Sequence, residues 1–256
     1  MYLLVDSHTH LDLDAFDADR DAAIARAHAA GVRQMVVPAI DLEGWPRIRA
    51  LCREHSGIHP AYGLHPLFMD RHRPDHLDQL GQWLGDNPAV AVGEIGLDFH
   101  REATDRDLQQ QFFEKQLHLA RDLRLPVIVH ARQAMEETEL TLRRCHGVRG
   151  VVHSFSGSEQ QAQKLWDIGF HLGIGGPVTY ERAQRLRRIV ARMPIEFLLL
   201  ESDSPDQPGA AHRGQRNEPA RIVEVLRVVS ALRGESEADV ARATTANAER
   251  LFGFGG

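Results

Sequence analysis

Cysteine is almost absent. Cys52 and Cys145 are the 2 present among 256 residues, and each stands alone in a helix-like stretch. No disulfide framework is possible on that count, and idle thiols fit a reducing cytoplasm. No apolar run is long enough to span a bilayer, and the N-terminal residues lack the basic segment and long apolar stretch of a signal peptide. A cytoplasmic protein without membrane contacts is therefore expected. Positive charge is also short: the formal net charge is −6, which argues against a broad basic nucleic-acid-binding surface. An anionic substrate is still admitted if bound metal makes one site locally positive. Aromatic residues are few, and no basic stripe interleaved with them would track a strand processively. No compositional break, linker or low-complexity stretch divides the chain, so residues 1–256 are read as one domain, with a monomer favoured.

What is present is repetition. Short apolar runs at 2–6, 34–40, 59–64, 89–95, 126–131, 150–154, 170–175 and 196–201 read as strands. Continuous Val/Ile/Leu runs are what a parallel sheet covered on both faces requires. Amphipathic stretches such as 19–30, 105–124, 159–168 and 181–192 separate them, the first ending at Gly31, a helix C-cap residue. Residues 218–252 read as two closing helices. Eight alternations in this length predict an α/β fold of the (β/α)8 TIM-barrel type; a doubly wound open sheet is the alternative.

The chemistry-bearing residues follow the strands. DSHTHLD, residues 6–12, places His8 and His10 one residue apart after the first apolar run. In a strand, residues i and i+2 share a face, and two adjacent imidazoles suit a transition metal. Alone, His-x-His is weak evidence. In a (β/α)8 barrel, however, chemistry sits at the C-terminal strand ends, and those ends hold His8 and His10, His65, Glu94, His130, His153 and Asp203. Apolar strands should not end repeatedly in ionisable groups, because an unpaired buried charge is costly. Four imidazoles and two carboxylates (His8, His10, Glu94, His130, His153, Asp203) exceed what one tetrahedral zinc needs. They fit two divalent ions sharing a carboxylate, with a positive excess that attracts anions and activates water. Mixed nitrogen and oxygen ligands admit Zn, Mn, Ni or Mg.

DSHTHLD, GLHP, VGEIGLDF, PVIVHAR, VVHSFSG, GIGGPVTY, LLLESDSP and RNEP together resemble the TatD family of metal-dependent hydrolases, from residue 4 to about residue 252 and in the family's order. GLHPLFMDRH, VVHSFSGS and LLLESDSPDQP are most similar to its YjjV-like subgroup. The resemblance implies a (β/α)8 barrel and a metal-dependent phosphodiesterase, with DNA the usual substrate. It also implies that Glu94 bridges two ions, with His8, His10 and Asp203 on one side and His130 and His153 on the other. Asp203 resembles the general base for the attacking water. Two positions depart from the family pattern: Ser202 replaces a threonine but keeps a hydroxyl, and Phe99 replaces a common tyrosine, removing a possible hydrogen bond.

Other residues carry weaker signals. His65 lies beside the metals in the family and is read as a phosphate contact, the alternative being a histidine behind the ligands. Arg132, next to His130, could pair with a phosphate oxygen or with a neighbouring helix. His100 and Arg101 are candidates for substrate contact. Arg213, Arg216 and Asn217 lie on the loop 206–218, which either selects substrate or covers the barrel mouth. The remaining histidines share no strand-end pattern and are read as surface or packing residues, and Phe112, Phe113 and Leu117 as core.

These features favour a two-metal hydrolase of phosphodiester bonds, of the 3′–5′ exonuclease type, acting on single-stranded or frayed DNA ends. The alternative keeps the metals and changes the bond: an amidohydrolase-like lactonase or deacylase acting on a small or tRNA-linked substrate. A non-catalytic binding protein would lack a ligand or the base, and none is missing.

Overall fold

The structure is a computed structural model and describes residues 2–100 and 105–254. Its strands are β1 (Leu4–Asp6), β2 (Val32–Pro38), β3 (Ile58–Tyr62), β4 (Ala91–Asp98), β5 (Val127–Arg132), β6 (Gly150–Val152), β7 (His171–Ile174) and β8 (Leu198–Leu200). They form one sheet in the order β1 to β8, every pairing parallel. Each run expected to be a strand overlaps one, with ends displaced by up to three residues. The helices between them are α1 (Arg20–Ala30), α2 (Gly44–Glu54), α3 (Asp75–Asp86), α4 (Arg106–Asp122), α5 (Met135–Arg144), α6 (Glu159–Asp167) and α7 (Gln184–Arg192), with α8 (Ile222–Arg233) and α9 (Glu237–Phe252) closing the chain. Gly31 caps α1 in the left-handed region at φ 98°, a conformation a Cβ would oppose.

The sheet is a nearly closed barrel rather than an open doubly wound sheet. No ladder joins β8 to β1, but hydrogen bonds across the gap do the joining. Ser7 N–H donates to Leu200 O at 3.0 Å, Asp203 N–H to His8 O at 2.9 Å, and His10 N–H to Ser204 O at 2.7 Å. This seam sets the loop after β1 against the loop after β8, which is where His8, His10 and Asp203 lie.

Two apolar layers surround the sheet. Its outer face packs against the helices, with Phe112, Phe113 and Leu117 among the buried residues. A second cluster takes Val5, Val36, Ala61, Ala91, Ile128, Val151 and Leu199, one residue from each of seven strands, and packs them against Ala248, Leu251 and Phe252 of α9. Period-2 alternation then aims the residues further along each strand toward the same interior. His130 follows Ile128, His153 follows Val151, and Glu201 and Asp203 follow Leu199. The floor is apolar and the upper storey polar.

Glu94 breaks this parity, since it is three residues beyond Ala91. The β4–β5 register shifts between Val92 and Ile95, and this irregularity turns Glu94 inward. Gly96 makes the return possible: its φ is +133°, and a Cβ there would stand 2.1 Å from His130 O. Among the described residues, no helix is long and apolar enough to cross a membrane.

Candidate metal centre

Glu94 is the hub. Its carboxyl is buried, and its two oxygens face different groups. Oε2 lies 3.2 Å from His8 Nε2 and 3.5 Å from His10 Nε2. Asp203 Oδ1 stands 3.6 and 3.9 Å from the same two nitrogens. Oε1 lies 2.8 Å from His153 Nε2, 3.0 Å from His130 Nδ1 and 2.9 Å from His65 Nε2. All six residues expected as ligands thus meet in one place, with His65 added.

His8 and His10 do not share a face through strand pleating, as their spacing suggested. β1 ends at Asp6, and both histidines lie on the loop beyond it, held by Thr9 N–H to Val36 O at 3.0 Å and by the seam to Ser204. Their rings stand edge to face, 81° apart, with the two Nε2 atoms separated by 3.1 Å.

The hydrogen bonds on the outer sides of the rings assign tautomers. His10 Nδ1 faces Pro38 O at 3.2 Å, and a carbonyl only accepts, so that nitrogen carries a proton. His130 Nε2 faces Asp98 Oδ2 at 2.9 Å and is protonated for the same reason. In the neutral rings the inward nitrogens of both therefore present lone pairs, the arrangement found in metal-binding histidines backed by carbonyl or carboxylate. His65 is the reverse case. Its Nδ1 accepts from Leu67 N–H at 3.0 Å, so the neutral ring carries its proton on Nε2 and donates it into the site.

Electrostatics sets His65 apart from His10 and His153. Burial lowers His65 to about 4, outweighing Glu94, so it is neutral. Burial also opposes charge on His10, but contact with Glu94 and the nearby Asp203 raise it to about 9. His153 is raised well above its ordinary value against burial, by Glu94 and Glu201. Glu94 is held well below the usual carboxylate range, burial being overcome by His65, His153 and His8. Burial lifts Asp203 to about 6, tempered by His153 and His10. The centre thus demands positive charge between its carboxylates. Glu94 Oε2 is buried and, among the described residues, finds no hydrogen-bond partner of good geometry. Converging ring nitrogens and carboxylate oxygens of this kind fit divalent ions, which would displace the extra protons.

The centre opens into a cavity of about 890 Å³ lined by His10, His65, Glu94, His130, His153 and Asp203. Arg132, the exposed last residue of β5, also lines it and makes no ion pair among the described residues. His100 is paired with Gln133 at 3.1 Å and does not line the cavity, while Arg101 lies outside the described residues. The loop 206–218 divides. Asp206 and Gln207 line the cavity, whereas Arg216 ties down to Asp19 at 2.5 Å and Asn217 donates to Ser202 O at 2.7 Å. Ser202 keeps its hydroxyl within the turn, 3.2 Å from Ser204 N. Phe99 is buried under the Arg106 guanidinium, 4.4 Å from its ring centroid.

Three contributors went unassigned in the sequence: Asp98 behind His130, Glu201 with Oε1 3.7 Å from His153 Nδ1, and Gln207 on Asp203. Asp98 ends β4 and Glu201 directly follows β8, and the signal that could have found them is their even spacing from Glu94 and Asp203. His72, read as packing, is buried, with Nε2 donating to His65 O at 3.0 Å.

A family model for TatD-related DNases matches residues 5–253. The uncharacterized metal-dependent hydrolase YjjV of Escherichia coli K12 is 40% identical over 251 residues, 97% of each chain. The crystal structure of YjjV, a TatD homologue, superposes with a TM-score of 0.95 at 38% identity, covering 98% of both chains. The 3′-5′ ssDNA/RNA exonuclease TatD of Cronobacter sakazakii is 36% identical over 246 residues, 93% of each chain. With this fold, this cluster of donors and these relatives, the chain belongs to the TatD family and is a metal-dependent hydrolase.

Proposed function

We propose that this hydrolase cleaves phosphodiester bonds at DNA ends, as a 3′–5′ exonuclease on single-stranded or frayed termini. The observation that carries the proposal is the partition around Glu94: in the neutral rings His10 turns a lone pair toward one of its oxygens and His130 toward the other, while His65 turns an N–H. In this reading His8, His10, Glu94 and Asp203 hold one divalent ion, and Glu94, His130 and His153 a second. Ions held there supply Lewis acidity, an activated water and neutralisation of developing charge. Zn, Mn, Ni and Mg all suit the mixed nitrogen and oxygen donors.

The protein's own residues do the rest. Asp203 Oδ1 points toward the His8 and His10 nitrogens and accepts the proton of the attacking water. His65, neutral and protonated on Nε2, donates to a non-bridging phosphate oxygen. Arg132 at the cavity wall pairs with a second oxygen in a charge-assisted contact. The cavity volume is within the range of small-ligand clefts and suits a strand end. The two unpaired cysteines suit a cytoplasmic enzyme.

The test is a parallel assay of the metal-loaded protein on single-stranded DNA, RNA, a lactone series and N-acyl amides. Mononucleotides released stepwise from the 3′ end, at a kcat/KM above that for every ester and amide, is the expected result. Faster turnover of a lactone or amide would move the chain to acyl chemistry on the same centre.

A further inference from the structure

Asp203's two oxygens have different surroundings. Oδ1 faces the histidines, whereas Oδ2 accepts a hydrogen bond from the Gln207 side-chain amide. Because a carboxylate only accepts, the amide must turn its nitrogen toward Asp203. The amide is held in turn: Ser154 Oγ lies 2.7 Å from Gln207 Nε2 and 2.9 Å from Oε1. Ser154 follows His153 on the loop after β6, so the amide spans from one metal-facing loop to another.

The backbone at all three positions is unusual. Ser154, Asp203 and Gln207 have φ of 46°, 52° and 50°, the left-handed region that residues with a Cβ disfavour. They are three of the five described non-glycine residues with positive φ, and they form one hydrogen-bonded chain. Such conformations persist where surrounding contacts hold them. Those contacts are present: Asp206 N–H donates to Asp203 O at 2.9 Å and Asn217 N–H to Pro205 O at 2.8 Å. The Gln207 carbonyl is so close to Gly176 that a Cβ there would stand 2.1 Å from it.

We propose that Gln207 is the positioning residue for Asp203, its amide pinning Oδ2 so that Oδ1 is the oxygen presented to the reacting water. The torsion that rotates a carboxylate is broad, so without the pin the oxygen is aimed only part of the time. An amide does this without altering charge at the centre, and Ser154 keeps it from swinging into the cavity. This rests on the reading of Asp203 as the base.

The experiment compares Gln207→Ala, Ser154→Ala, Asp203→Asn and the double variant Gln207→Ala/Asp203→Asn, each at saturating divalent metal on a single-stranded oligonucleotide. Misplacing a catalytic group by about 1 Å can cost about 10²-fold, so Gln207→Ala should lower kcat by about 10- to 100-fold. KM should stay within about threefold, since substrate affinity is not the quantity lost. Ser154→Ala, which leaves Gln207 in place but unheld, should lower kcat in the same direction and by less. In the Asp203→Asn background, Gln207→Ala should add less than about twofold, because residues acting as one unit are not additive.

A second readout needs no turnover. Titrating the metal-free proteins with manganese alone should give Gln207→Ala an affinity within about threefold of the parent, with Asp203→Asn weakened more, as expected of a ligand. Wild-type kcat in Gln207→Ala, an equal fold loss in both backgrounds, or a loss confined to KM would each overturn the positioning role. Near-normal turnover in Asp203→Asn would instead remove the base itself, and the positioning role with it.

Discussion

His65 and His130 address the same oxygen of Glu94 from nearly equal distances, 2.9 and 3.0 Å, yet with opposite chemistry. Leu67 N–H takes the lone pair of one ring, and Asp98 takes the proton of the other. Removing each residue should therefore have different consequences. Glu94→Ala deprives both proposed ions of a shared carboxylate and leaves buried imidazoles without their counter-charge. It should lose most bound metal, whereas His65→Ala should retain it and lose turnover. Elemental analysis after loading and desalting measures this, and equal retention in the two variants would contradict the bridging role. Asp203→Asn keeps the shape and removes the proposed proton acceptor. General-base catalysis contributes about 10²–10⁴-fold, so a kcat loss of that order with an unchanged circular-dichroism spectrum is expected. Full recovery in excess metal would leave Asp203 a ligand only.

Between elements, the loop after β8 serves two purposes. One end carries Asp203 and Gln207; the other clamps onto α1. Arg216 and Arg26 both bond Asp19, at 2.5 and 3.0 Å, and Arg26 also reaches Glu218 at 2.6 Å, with the Arg216 guanidinium 4.5 Å from the Phe16 ring centroid. Hydrogen bonds from Arg216 and then Arg26 hold the Asp19 carboxyl far below its usual range. Below the ordinary carboxylate pKa of about 3.9, the unfolded chain takes up a proton that the folded chain refuses. Stability from Asp19 is thus fully present above that pH and lost as pH falls toward the depressed folded value. Asp19→Asn should narrow the stability difference between pH 6 and pH 3 in urea titrations. Salt should weaken the effect, because the cluster is only half-buried and solvent ions reach it. An unchanged acid limb would show that the clamp contributes nothing to folding.

At the scale of the molecule, a polar upper storey sits on an apolar floor, and metal loading should couple to folding. An ion that binds only the folded state at about 100 times its Kd adds about 2.7 kcal/mol, on the order of 5–10 °C for a chain of this size. Calorimetry with and without chelator measures this, and coincident midpoints would argue that no loaded centre forms. The described residues expose three large apolar side chains, Leu3, Leu123 and Leu140. They lie far apart in the chain, Leu3 before β1, Leu123 after α4 and Leu140 on α5, so a monomer unfolding in one transition is expected in sedimentation and the same scans.

The sequence by itself determined the eight strands, most of the helices between them, and the residues that could bind metal, because hydrophobic periodicity and residue type are local properties. Family resemblance added Glu94 as the hub and the expectation that Asp203 is the base. Tertiary structure alone decided how those residues meet. Glu94 faces inward only because β4 slips register against β5. His8 and His10 converge through a seam to β8 rather than through the pleat of a strand. His65 separates from the other histidines by one backbone N–H, that of Leu67, which fixes where its proton sits. Gln207 becomes a partner of Asp203 because three left-handed residues on two loops close around one amide. None of these follows from composition or spacing. Register, tautomer and rotamer are set by neighbours distant in the chain, and those neighbours are present only once the barrel has closed.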